Sequence, residues 1–72
     1  MDSFLILLQA RAIKARAVLH LATVELNAIF EGADEEGRRS LVSAHATAYR
    51  EFVTAAEAAQ AAQFRRIVEE KR

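Results

Sequence analysis

The stretch Phe4–Phe30, FLILLQARAIKARAVLHLATVELNAIF, decides the fold because it has no glycine or proline and more apolar residues than one side of a helix holds. On an α-helix, at ~100° per residue, these apolar residues form two stripes. The leucine stripe has heptad-like spacing of three and four residues and consists of Leu5, Leu8, Ala12, Ala15, Leu19, Ala22, Leu26 and Ile29. The isoleucine stripe lies roughly opposite and consists of Ile6, Ala10, Ile13, Ala17, Leu21, Val24 and Ala28.

Two polar strips separate these stripes, one around Arg16 and His20 and the other around Lys14 and Glu25. A helix with two apolar faces needs two partners, because leaving either face uncovered would expose a large apolar patch to water. One short chain supplies only one partner helix. The sequence therefore predicts that the other partner is a second molecule.

The length and composition are consistent with an oligomer. A chain of 72 residues forms one domain, in the size range where a single core is barely sufficient. There is no cysteine for a disulfide framework or a thiolate metal site. The formal net charge is zero, so no overall field attracts nucleic acid or anionic lipid.

The N-terminal segment does not have the pattern of a signal peptide. Asp2 stands where a signal peptide has positive charge, and Arg11 interrupts the apolar run before a hydrophobic region is complete. Arg11, Lys14 and Arg16 also interrupt a membrane span, which needs about 20 apolar residues. We therefore expect a cytoplasmic protein without a membrane span.

A second helix should follow a tight turn. We expect the first helix over about 4–31, capped by Asp2 or Ser3, and the turn over 32–34, with Gly32 in the left-handed C′ position. Asp34 then caps a helix over about 35–70, although Gly37 leaves a later start at Ser40 open.

The second helix has a simpler amphipathic pattern. Its predicted apolar side comprises Leu41, Val42, His45, Tyr49, Phe52, Val53, Ala56, Ala59, Gln60 and Ile67. A short turn makes the pair antiparallel, and we expect Tyr49 and Phe52 to pack against alanines of the leucine stripe. The first helix then ends before the second does. Phe64, Ile67 and Val68 should form an overhang without a neighbour in the chain.

The sequence offers little for catalysis or metal binding. In the predicted hairpin His20 and His45 lie almost level, so two copies could hold a transition metal, but no carboxylate shares their face. We expect His45 to be a core residue and His20 to bind no metal. Ser43 and His45 point to different sides of the helix, which argues against a nucleophile–base pair.

One basic cluster, Arg11, Lys14 and Arg16, leaves an RNA-binding reading open. The predicted architecture resembles the small dimeric hairpins of the Rop type, plasmid copy-number regulators that bind RNA, although no motif is shared. The same cluster also serves to keep a very apolar helix in solution, and this is the preferred interpretation.

The sequence thus predicts an all-α antiparallel two-helix hairpin that dimerises into a four-helix bundle. We expect a non-enzymatic protein–protein interaction module, such as a small adaptor, a co-chaperone or an inhibitor, with no cofactor, metal or catalytic residue. Its partners are expected to be itself and another protein, and nucleic acid or a His-bound metal are the alternatives. The expected interaction surface comprises Ile6, Ile13, Ala17, Val24, Phe64, Ile67 and Val68.

Overall fold

A computed structural model describes residues 3–71 as two α-helices, α1 (Ser3–Ile29) and α2 (Glu35–Glu70). The helices pack against each other along α1 and are joined by the turn 30–34. The predicted all-helical hairpin is therefore confirmed. The predicted cap at Asp2 lies outside the described residues.

The start of α2 follows the capping prediction. Asp34 is the N-cap, with an extended backbone (φ −73°, ψ 179°), and its side chain accepts a hydrogen bond from the amide of Gly37 at 2.7 Å. Glu35 and Glu36 occupy the first turn, where the helix dipole favours acidic side chains. The helix therefore starts at Glu35 rather than Ser40. Gly37 does not delay its start, because the Gly37 amide is itself the donor to the Asp34 cap.

The end of α1 differs from the prediction. The helix stops at Ile29, two residues before the expected end, and Gly32 does not have a positive φ. The left-handed C′ prediction for Gly32 is therefore wrong. Arg38 instead donates from its guanidinium to the carbonyl oxygens of Phe30 and Glu31, the two residues that follow α1, and the amide of Ala33 also donates to Phe30.

The leucine stripe of α1 faces α2. Leu5 is buried, and the stripe is half-buried from Leu8 to Leu26, whereas Ile29 at the end of the helix is exposed. On α2 the facing residues, buried or half-buried, recur every three or four positions. They are Leu41, His45, Ala48, Phe52, Ala55, Ala59 and Ala62.

The predicted apolar side of α2 is too broad. Tyr49 is 54% exposed, and Val42, Gln60 and Ile67 are also exposed, so these residues lie largely outside the contact with α1. Phe52 is half-buried at the helix contact as expected, but the packing predicted for Tyr49 is wrong. The reason is geometric, since the alanine-rich contact is one narrow seam, and the residues one position further along the chain turn about 100° away from it.

Little of this hairpin is removed from water. Among the described residues only Leu5 and Ala48 are buried, at 5% and 4% exposure. The hairpin is a rod of 57 × 15 × 13 Å, and its radius of gyration is 16.6 Å, whereas a compact chain of this length has ~11 Å. The single chain therefore has a seam between two helices in place of an enclosed core.

Candidate interaction surfaces

The isoleucine stripe lies on the side of α1 that faces away from α2. All seven of its residues are exposed, and Ile13, at 70%, is among the most exposed large side chains. Ile6, Leu21 and Val24 are each about half exposed or more. Every side chain in the stripe is aliphatic, so none of them can form a hydrogen bond with water. This surface contains four of the predicted interaction residues, Ile6, Ile13, Ala17 and Val24.

The remaining predicted interaction residues lie on the overhang patch, which we define as Phe64, Ile67 and Val68. Ala62 is the last residue of α2 with partial burial, and every described residue after it is exposed. Phe64 is 69% exposed and lines a shallow cleft with Val68 and the side chains of Arg65 and Glu69. The structure therefore presents two separate predicted surfaces, one along α1 and one at the open end of the hairpin.

A third apolar surface lies on α2, beside the residues that contact α1, and the sequence pattern did not distinguish it from them. This lateral stripe of α2 consists of Val42, Ala46, Tyr49 and Val53, of which only Val53 is half-buried. The signal was present, because α2 carries two sets of residues with four–three spacing that are offset by one position. Val42 also lines a cleft at the turn with Leu26, Asn27, Phe30 and Glu31.

The two histidines lie in different environments. His45 is half-buried in the α2 seam, on the face that contacts α1, while His20 is exposed. Within residues 3–71, no group of three or more His, Cys, Asp or Glu side chains is placed to hold a metal ion.

The basic residues of α1 do not form one surface. Residues five positions apart on a helix are about 140° apart, so Arg16 lies on a different side from Arg11. Arg11 lines a cleft between the helices whose polar wall includes Arg50 and Glu51. An RNA-binding surface needs its cations on one side to follow a phosphate backbone. The arrangement does not bring the three predicted cations together.

The charged side chains of α2 form local pairs. Arg39 contacts Glu35 at 3.4 Å, and Arg66 contacts Glu70 at 3.2 Å, both with the i, i+4 spacing of neighbours on a helix surface. All four side chains are largely exposed, so these pairs contribute little to stability.

Among the described residues, neither helix contains a segment both long and apolar enough to cross a membrane. No family model, curated protein or solved structure matches the chain. The role of its surfaces is therefore inferred from their geometry and chemistry.

Proposed function

We propose that this chain is a non-enzymatic protein–protein interaction module that works as a homodimeric helical hairpin. The observation that supports it is the amount of apolar surface left in water. Among residues 3–71, fourteen large apolar side chains are exposed in the single hairpin. Monomeric proteins rarely leave contiguous apolar patches of this kind uncovered, and such patches mark sites of protein interaction.

The area of the hairpin supports the same proposal. The chain has a mass of 8.0 kDa and an accessible surface of 5,928 Å². A compact monomer of that mass would have ~4,450 Å². The excess is about 1,500 Å², and a standard interface removes about 800 Å² from each partner. The excess is therefore almost twice what one hairpin needs for a second copy, and part of it is left for a further protein.

The proposal gives the two predicted surfaces different roles. The isoleucine stripe is continuous and aliphatic, which suits the permanent contact between two copies. The overhang patch is short, contains one aromatic residue and is bordered by Arg65 and Glu69, which is the mixed composition of a recognition site. We assign this patch to a client protein, for which the hairpin is an adaptor, a co-chaperone or an inhibitor in the cytoplasm.

The dimer is tested by placing a carboxylate on each stripe of α1. Ile13→Asp adds the charge on the side that faces away from α2, and Leu19→Asp adds it at the helix contact. An unpaired carboxylate in an apolar contact costs several kcal/mol. We expect Leu19→Asp to lose helicity by circular dichroism, and Ile13→Asp to give a weakened, monomeric hairpin. An Ile13→Asp variant that remains a stable dimer would contradict the assignment of the isoleucine stripe.

The client site is tested by affinity capture from the native host. The Phe64→Ala, Ile67→Ala double variant should lose a client that the wild-type chain retains. The matched control is Arg65→Ala, Glu69→Ala, which leaves the apolar patch in place and should retain the client. If the control loses the client and the apolar variant retains it, charges rather than the overhang patch make the contact. RNA in place of protein, released steeply by added salt, would contradict the proposed class of partner.

A further inference from the structure

The isoleucine stripe has a symmetry that specifies how a second copy would pack on it. Its seven positions, from Ile6 to Ala28, are spaced symmetrically about Ala17. All seven are exposed in the hairpin and lie opposite the contact with α2. We propose that two copies pack α1 against α1 in an antiparallel arrangement, with Ala17 at the two-fold axis. This inference rests on the proposed homodimer and adds its orientation and register.

The antiparallel register pairs a large side chain with a small one at both ends of the stripe. Ile6 meets Ala28 of the other copy, Ala10 meets Val24, Ile13 meets Leu21, and Ala17 meets its own copy. The alanine pair at the axis lets the backbones approach closely, while the aliphatic side chains on both sides of it fill the space. A parallel register would place each residue beside its own copy. Isoleucine would then meet isoleucine and alanine would meet alanine in every layer, so the outer layers would also be either too full or too empty.

The charges beside the stripe favour the same orientation. Lys14 and Glu25 lie on one flank of the isoleucine stripe, and both are exposed. In the antiparallel register Lys14 of one copy and Glu25 of the other share a flank, offset by ~7.5 Å along the axis, within reach of the two long side chains. In a parallel pair the two-fold axis would place this flank of the two copies on opposite sides of the contact, so Lys14 of one copy could not reach Glu25 of the other.

A second copy is the occupant that the area of the hairpin supports. The surplus of about 1,500 Å² over a compact monomer exceeds the ~800 Å² that one partner contributes to a standard interface. Because the isoleucine stripe faces away from α2, the two α1 helices would lie at the centre of the dimer and the two α2 helices outside. The lateral stripe and the overhang patch would both stay accessible.

Cross-linking tests the register directly, because the chain has no cysteine of its own. Ala17→Cys should cross-link to its own copy with a short bismaleimide. Ile6→Cys and Ala28→Cys lie ~33 Å apart along α1, so neither should cross-link alone, but a refolded mixture of the two should. Thr47→Cys, on the exposed side of α2, is the control that should remain single.

The outcomes separate the register from the proposed function. Cross-linking of Ile6→Cys and of Ala28→Cys each to its own copy would show a parallel pair and overturn the inference. A particle of twice the chain mass that lacks the Ala17 cross-link would overturn the register and leave the proposed dimer intact. A monomeric mass would overturn both.

A size change at the axis gives an independent test. Ala17 is exposed in the hairpin, so Ala17→Leu should leave helicity unchanged while it forces the two α1 helices apart. We expect the dimer dissociation constant to rise at least tenfold in Ala17→Leu and to change little in Ala17→Ser. The control Ala44→Leu adds the same side chain at an exposed position of α2 and should leave dimerisation unchanged. Equal dissociation constants for Ala17→Leu and Ala44→Leu would overturn the inference.

Discussion

Arg38 closes the end of α1 by binding Phe30 in two ways. Its Nε donates to the main-chain carbonyl oxygen of Phe30 at 2.8 Å, and its guanidinium lies 5.0 Å from the centre of the phenyl ring. A further hydrogen bond from Nη2 reaches the carbonyl oxygen of Glu31 at 2.9 Å. One side chain in the first turn of α2 therefore holds both residues that follow α1.

We expect Arg38→Ala to lower the free energy of unfolding by about 1–2 kcal/mol, because two carbonyls lose a charged donor and the ring loses its cation. Arg38→Lys should recover only part of this, since an ammonium cannot bind both carbonyls in a fork. The measurement is urea unfolding at one fixed chain concentration. The control Arg39→Ala removes only an exposed pair with Glu35, so an equal loss there would contradict the capping role.

The two glycines should respond differently to alanine. Gly32 has no positive φ, and a Cβ there would meet nothing within 4 Å. Gly32→Ala should therefore raise stability by about 0.4–1 kcal/mol, because it restricts the unfolded chain. A Cβ at Gly37 would lie 3.1 Å from the Asp34 carboxylate oxygen and 3.2 Å from the Ala33 Cβ. Gly37→Ala should gain nothing, because displacement of the N-cap offsets the better helix propensity.

Thermal unfolding of both variants beside the wild type measures this difference. A Gly32→Ala chain that melts below the wild type would show that the turn needs a conformation that alanine does not adopt.

The overhang patch should be separable from the fold. Leu19 is half-buried at the contact with α2, and its truncation should cost roughly 2 kcal/mol or more, the lower end of the range for leucine in protein cores. Phe64 is 69% exposed, so Phe64→Ala with Ile67→Ala should cost less than Leu19→Ala alone. Chemical denaturation of the three chains decides the order. A double variant that dissociates at concentrations where the wild type is dimeric would move this patch from client binding to the dimer.

His45 should be replaceable by leucine. It lies half-buried in the seam of α2 between Leu41 and Ala48, on the face that contacts α1. His45→Leu removes a polar group from an apolar contact, so we expect its melting temperature to equal or exceed that of the wild type. Wild type and variant are compared with and without a chelator. A chelator that lowers the melting temperature of the wild type but not of His45→Leu would indicate a bound metal.

The sequence predicted the hairpin because its signals are local. Asp34 followed by two glutamates specifies a helix start, and the unbroken run from Phe4 leaves no place for α1 to stop early. The end of α1 was mispredicted because its cap comes from Arg38, beyond the turn, and not from the residue that follows the helix. The expectation for Gly32 rested on the residues next to the helix end, and these do not include Arg38.

The surfaces were predicted less completely than the helices. The isoleucine stripe was found because it lies opposite the leucine stripe, and the structure leaves it exposed. The lateral stripe was merged with the core, since Val42 and Tyr49 are adjacent in sequence to Leu41 and Ala48. The two sets are distinguished only in the folded hairpin, where α1 covers Leu41 and Ala48 and leaves Val42 and Tyr49 exposed.

The mass of the particle in solution tests the homodimer most directly. Sedimentation equilibrium over a hundredfold range of chain concentration should give twice the chain mass of 8.0 kDa, with dissociation only at the dilute end. The thermal midpoint should rise with concentration over the same range, because dimerisation stabilises the folded chain by mass action. A stable, folded particle of 8.0 kDa with a midpoint that does not depend on concentration would contradict the account.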